Sequence, residues 1–285
     1  MQGIVFARMK SSMRKMSMTL SAKTRSWTDR MARIGLSAKG IVYLILGALA
    51  FMAAFGINSQ SGSKADQSGV FTLVKDWPGG VPMLLVLAAG LLCYSAWRFI
   101  QAFHQKKDGS SKKKWGKSLR YAISALVYLS LAYTAIQMAL YNKQDGGNSK
   151  QDWARQVMEQ PFGQWLLAIA ALILAGVGFY QCWYGLSGKY KKHVEENAVN
   201  SEVTSGLLKS AAIGYVARGV VWLVIAWLLF RAAFHANAKE AGDTGEAFQF
   251  IHSGTWGTLL LAAIGIGLIA YGIFNFMRAR FERFG

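Results

Sequence analysis

"GLLCYSAWRF" (90–99) closes a long apolar run, and the same ending returns as "GVGFYQCWYG" (176–185) and "GLIAYGIFNF" (267–276), each reading Gly-x-x-x-Tyr-x-x-(Trp or Phe). The openings of other apolar runs repeat as well. "AKGIVYLILGALA" (38–50) matches "ARGVVWLVIAWLL" (217–229) at an offset of 179, with "ISALVYLSLAYTA" (123–135) a weaker copy at an offset of 85. Pairing each opening with its closing motif sets Tyr43 with Tyr94, Tyr128 with Tyr180 and Trp222 with Tyr271, at separations of 51, 52 and 49 residues. Spacing this constant makes the repeat unit a two-helix hairpin, present three times.

The composition says where such hairpins live. Of the 285 residues 53% are hydrophobic and 16% charged, against roughly 25% charged in a soluble domain. Six apolar segments, about 40–57, 80–103, 119–140, 162–185, 211–234 and 256–277, approach the length of a membrane span. The fifth contains Arg218 and Arg231, which are read as snorkelling toward opposite interfaces. The expected fold is all-α, a polytopic membrane protein of six transmembrane helices in three parallel two-helix repeats around a pseudo-threefold axis. The chain then divides into a basic, Met-rich N-terminal arm (1–31), hairpin 1 (32–105), a basic loop (106–116), hairpin 2 (117–188), a linker (189–209) and hairpin 3 with a basic tail (210–285). The arm has no apolar core of signal-peptide length and is read as disordered or lying on the surface.

The net charge of +18 follows the same topology. Assigning alternate flanks to the two sides of the membrane places 25 of the 32 Lys and Arg residues on the side of the chain ends. The positive-inside rule then puts both termini in the cytoplasm and the protein in a bacterial inner membrane. Expected partners are the bilayer, anionic lipid head groups reached through the basic cytoplasmic loops, and a membrane-protein partner or second copy. Nucleic acid is not expected, since "KKDGSSKKKWGK" (106–117) is one flank of this asymmetry.

The three outer loops also repeat, each with a polar opening and a short amphipathic stretch: "ADQSGVFTLVKDWPGG" (65–80), "SKQDWARQVMEQPFGQW" (149–165) and "AGDTGEAFQFIHSGTWG" (241–257). A short helix at the outer surface is expected in each, with Asp152 and Asp243 as N-caps and Trp77, Trp165 and Trp256 at the outer interface.

Tyr43, Tyr94, Tyr128, Tyr180, Trp222 and Tyr271 fall at similar depth near the cytoplasmic side. They form either an interfacial aromatic belt or an inward-facing site for a lipid, quinone or other flat apolar ligand. Gly90, Gly176 and Gly267, four residues before the second Tyr of each copy, favour close helix packing. Lys39 and Arg218 share one repeat position, four residues before an aromatic, with Ser124 in the middle copy. One helical turn puts cation and ring on one face, where they either snorkel or hold a cation–π contact or a phosphate head group. Mid-span Asp, Glu and His are absent, which argues against ion-coupled transport. No catalytic or nucleotide-binding motif is present, the two cysteines and four histidines form no ligand cluster, and neither a metal nor another cofactor is expected.

These paired motifs, repeated three times, resemble the bacterial membrane family catalogued as domain of unknown function 1206, described as two-helix repeats, usually three per chain. The resemblance covers about 32–281; "SALVYL" in the second copy departs from the small–basic–Gly-x-Val-aromatic-Leu pattern. It implies no catalytic residue. Mitochondrial-type carriers, also triplicated hairpins, are excluded because Pro78, Pro82 and Pro161 all lie outside the odd-numbered spans. The expected function is that of a non-enzymatic scaffold binding lipid, an apolar ligand or a partner membrane protein. The alternative is a passive pore or transporter for a small solute along the pseudo-threefold axis.

Overall fold

The computed structural model describes residues 2–57, 65–107, 112–141, 149–188 and 201–282 and, within these, the side chains outside 2–26, 104–107, 112–114, 117, 149–153 and 201–207. Residues 108–111 of the basic loop and 189–200 of the linker lie outside the described residues. The described secondary structure is helical throughout: α1 (Gln2–Ala54), α2 (Gln67–Lys75), α3 (Gly80–Lys107), α4 (Lys112–Tyr141), α5 (Ser149–Met158), α6 (Gly163–Leu186), α7 (Ser201–Phe234), α8 (Thr244–His252) and α9 (Gly257–Phe281), with a short 3₁₀ turn at Ala238–Glu240. Six stretches are long and apolar enough to cross a membrane: Trp27–Ala54, Gly80–Phe103, Ser118–Tyr141, Gly163–Leu186, Leu208–Phe234 and Gly257–Phe281. The protein is a polytopic membrane protein, and an even number of spans returns both chain ends to one side.

The basic arm is helical, and α1 runs as one helix from Gln2 into the first span. The sequence explains this: between Gly3 and Gly35 no Gly or Pro interrupts a stretch rich in Met, Ala, Lys and Arg, all good helix formers.

The short helices α2, α5 and α8 precede the even-numbered spans. Asp66 caps α2 by accepting from the backbone N–H of Gly69 (2.7 Å). Asp243 caps α8 by accepting from Gly245 (2.7 Å), while Glu246 accepts from the Asp243 backbone N–H (2.9 Å), completing a capping box. Asp152 is not a cap. α5 already starts at Ser149, a residue type that itself begins helices well, so Asp152 falls inside it. Phe71 of α2 and Phe248 of α8 are fully buried in the main core, so these two helices cover its outer end. Gly80, Gly163 and Gly257 then start α3, α6 and α9 against the last carbonyls of the preceding short helix, leaving no room for a Cβ.

The most extensive helix pairs join different hairpins: α1 with α9, α3 with α4, and α6 with α7. They meet through small residues at one repeat position, which lets backbones approach in a lipid environment. Gly40 packs on Gly272 and Phe276, Gly219 packs on Cys182 and Gly178, and Ala125 offers its carbonyl to Ser95 Oγ at 2.8 Å. Contacts within a hairpin are extensive for α1 with α3 and for α7 with α9. Among the described residues α4 and α6 form no comparable pair, so the second hairpin is open. Most of α6 accordingly belongs to a smaller core with α5 and the outer end of α7, centred on Ala154, Leu167, Ala171 and Ala232, outside the main core.

Candidate functional site

Lys39 lies on α1 among the apolar residues of the first span, yet it is only 3% exposed. Its Nζ donates to the hydroxyls of Tyr271 (3.0 Å) and Tyr94 (3.3 Å). It is also surrounded by the rings of Tyr94, Tyr271, Tyr128 and Tyr43, with centroids 5.0, 5.2, 5.3 and 5.9 Å away. These tyrosines come from α3, α9, α4 and α1, so all three hairpins contribute to one aromatic cage. The rings brace one another edge-on, Tyr94 on Tyr128 at 4.5 Å and Tyr43 on Tyr271 at 4.8 Å.

Two arginines complete the cage. Arg98, one turn after Tyr94 on α3, donates Nε and Nη2 to the Tyr94 hydroxyl at 2.9 and 2.7 Å. Arg218 of α7 donates Nη1 to the Tyr271 hydroxyl at 2.6 Å and lies over the rings of Tyr271 and Tyr43 at 5.1 and 5.3 Å. Its Nε is buried without a hydrogen-bond partner. Further toward the chain ends, Arg278 is paired with Glu282, and Arg33 donates to the carbonyls of Ala279 and Arg280 at 2.9 Å, a favourable position at the C-terminus of α9.

The charge balance is the distinctive feature. Among the described residues no Asp or Glu pairs with Lys39, Arg98 or Arg218. Lys39 and Arg218 bond one hydroxyl at 3.0 and 2.6 Å, so their nitrogens lie at most ~5.6 Å apart. At an effective dielectric constant of about 20 their mutual repulsion is about 3 kcal/mol. Buried charge of one sign normally requires a partner of the other. Among the described residues the counterparts offered to these cations are tyrosine oxygens and ring faces.

Of the residues singled out in the sequence, Lys39, Arg218, Tyr43, Tyr94, Tyr128 and Tyr271 meet here. Tyr180 and Trp222 do not. Tyr180 stands on α6, 42% exposed, against 0% and 2% for its counterparts Tyr94 and Tyr271; it follows the open hairpin away from the cage. Trp222 is half-buried on α7, where Arg218 occupies the nearby cage wall. Gly90 and Gly267 pack against Ala38 and Ala217, but Gly176 does not act as a packing glycine: a Cβ there would meet nothing within 4 Å. Sequence reasoning overlooked Arg98, although its position one turn after Tyr94 repeats the cation–aromatic spacing of Lys39 and Tyr43 in reverse order.

Comparison with known proteins agrees with the triplication. The family described as Domain of Unknown Function (DUF1206) matches residues 34–105, 119–188 and 213–282, one match per hairpin. The uncharacterized protein YxxB of Bacillus subtilis (strain 168) is 27% identical over 264 residues, covering 92% of this chain and 94% of its own. No solved structure matches the chain.

Proposed function

The chain belongs to the family described as Domain of Unknown Function (DUF1206), and from that premise we propose that it is a non-catalytic protein of the bacterial cytoplasmic membrane whose Lys39 cage binds an anionic, phosphate-type head group. One observation carries this reading. Lys39, Arg98 and Arg218 converge on two phenol oxygens with no carboxylate among the described residues to balance them. The Lys and Arg asymmetry, 25 of 32 on the side of the chain ends, supports a cytoplasmic position for that side. The cage then lies on the inner-leaflet side of the span centres, with Tyr94 and Tyr271 three residues beyond Leu91 and Leu268, and the inner leaflet is where anionic lipids concentrate.

The pore reading has less support. Leu46, Leu91 and Leu268 fill the core at mid-depth, each at most 1% exposed, and Phe71 and Phe248 cover its outer end. The test is mass spectrometry of protein extracted in native lipid discs, comparing wild type with Arg218→Gln and Lys39→Met. Selective loss of a co-purifying anionic lipid or other anion from both variants is the expected result. An identical profile of bound molecules in all three proteins would overturn the proposal.

A further inference from the structure

Two of the three hairpins close on small residues. In the first, a Cβ on Gly35 would lie 2.5 Å from Tyr94 Cα, and one on Gly90 would lie 2.5 Å from the Cβ of Ala38. In the third, a Cβ on Gly214 would lie 2.7 Å from Tyr271 Cα, and Gly267 packs on Ala217. The repeat offsets of 85 and 179 put Arg120 where the other copies have Gly35 and Gly214, and Ile123 where they have Ala38 and Ala217. A guanidinium arm and a branched side chain cannot enter contacts that leave no room for a methyl group. α4 and α6 therefore stay apart.

The opening has a definite chemistry. Ile123 and Val127 of α4 are 49% and 42% exposed, whereas Val42 and Val221, the counterparts of Val127, are 2% and 6% exposed. Gly176 of α6 faces open space. At the chain-end side Arg120 Nη1 donates to the Tyr180 hydroxyl at 3.1 Å and lies 5.7 Å from that ring, with no carboxylate partner among the described residues. From Tyr180 the rings of Tyr184, Tyr215 and Tyr271 follow in contact, at 5.8, 5.0 and 5.4 Å, and end at the Lys39 cage.

We propose that the cleft between α4 and α6 seats one anionic phospholipid, its acyl chain against Ile123, Val127 and Gly176 and its phosphate at Arg120, and that this is the lateral route by which a head group reaches the cage. The route rests on the anion-binding reading of the cage; the seat itself does not. An apolar slot beside a cation that has no carboxylate partner among the described residues complements a lipid with negative charge at the cation's depth, and it is formed by the one hairpin in which two substitutions prevent closure.

The experiment uses the full chain in phosphatidylcholine discs containing a phosphatidylglycerol analogue with a photoreactive acyl chain. Cross-linked peptides are mapped for wild type, Gly176→Trp, the double variant Arg120→Gly with Ile123→Ala, and Arg218→Gln. A tryptophan at 176 puts bulk into the slot from a position where a Cβ meets nothing within 4 Å, and the double variant restores the residues that close the other hairpins. Cross-links should concentrate on α4 and α6 and fall about tenfold in both cleft variants, equivalent to ~1.4 kcal/mol. Arg218→Gln should keep the cleft cross-links while losing anionic lipid at the cage. Cross-links spread evenly over the six spans, unaffected by Gly176→Trp, or equally strong with a photoreactive phosphatidylcholine would overturn the seat. Loss in Arg218→Gln alone would remove the cleft and leave the cage; no loss in any variant would remove both.

Discussion

Adding one methyl group should have opposite effects at two glycines that hold the same motif position. At Gly90 the new Cβ would lie 2.5 Å from the Cβ of Ala38, while ordinary contact begins near 3.4 Å, so α1 and α3 must part by about 1 Å. Such overpacking costs about 1–3 kcal/mol. Alanine returns about 0.5–1 kcal/mol relative to glycine inside a helix, so Gly90→Ala should destabilise by about 1–2 kcal/mol net. At Gly176 nothing lies within 4 Å, and only the helix-propensity gain of about 0.5–1 kcal/mol remains. With about 2–4 °C per kcal/mol for a chain of this size, Gly90→Ala should lower Tm by about 2–8 °C and Gly176→Ala should raise it by about 1–4 °C. Thermal unfolding followed by circular dichroism in one detergent, on matched preparations, reads both. If Gly176→Ala falls as far as Gly90→Ala, the second hairpin is closed in solution and the reasoning about Arg120 and Ile123 fails.

Lys39→Met removes a repulsion of about 3 kcal/mol from a cage whose phenol oxygens keep their arginine donors, so delipidated protein should melt at a higher temperature while its anionic lipid retention falls; a lower Tm would make the ammonium a structural element instead. Glu240 lies outside the spans, and although partial desolvation pushes its carboxyl up, the His235 hydrogen bond and Arg231 outweigh that and hold it below the ordinary carboxylate range. Its contribution to stability is therefore fully present above about pH 4.3 and lost as pH falls through the lowered value; the Tm-versus-pH curve of Glu240→Gln should lack that acid slope. Asp243→Ala should cost about 1 kcal/mol through loss of the α8 cap, visible as faster amide exchange confined to α8, and an exchange pattern equal to wild type would count against the capping box.

The spans, the hairpin unit and the short outer helices were legible because each repeats three times, and repetition separates signal from the uniform apolar background. Four of the six recurrent aromatics reach the cage, and the two that do not show the limit of that method. Tyr180 has the same motif as Tyr94 and Tyr271, but its position depends on whether its hairpin closes, and closure is decided on the opposing helix. The deciding residues were in plain view. "SALVYL" draws attention to the missing cation at Ser124, while the departures that matter for packing, Arg120 and Ile123, lie four and one residues upstream. Their consequence appears only when Gly35 and Gly214 are seen against the backbone of their partner tyrosines. Arg98 was missed for a related reason: it has no basic counterpart in the other copies, where Tyr184 and Asn275 follow the motif tyrosine by four residues.

Both departures fall in the same copy, and this links the cage to the opening. If all three copies kept the basic residue at the position of Lys39, a fourth cation would join Lys39, Arg98 and Arg218, adding repulsion of the same order, about 3 kcal/mol per close pair. Ser124 removes that charge. If all three copies kept Gly and Ala at the positions of Gly35 and Ala38, every hairpin would close, and Lys39, 3% exposed, would lie within a continuous wall of helices. Arg120 and Ile123 prevent that closure and carry the displaced positive charge to the rim. The middle hairpin has thus given up one buried cation and one helix contact and gained an exposed cation beside an apolar slot. That is the arrangement expected if a negatively charged amphiphile enters from the bilayer at this hairpin and is held by the cations of the other two.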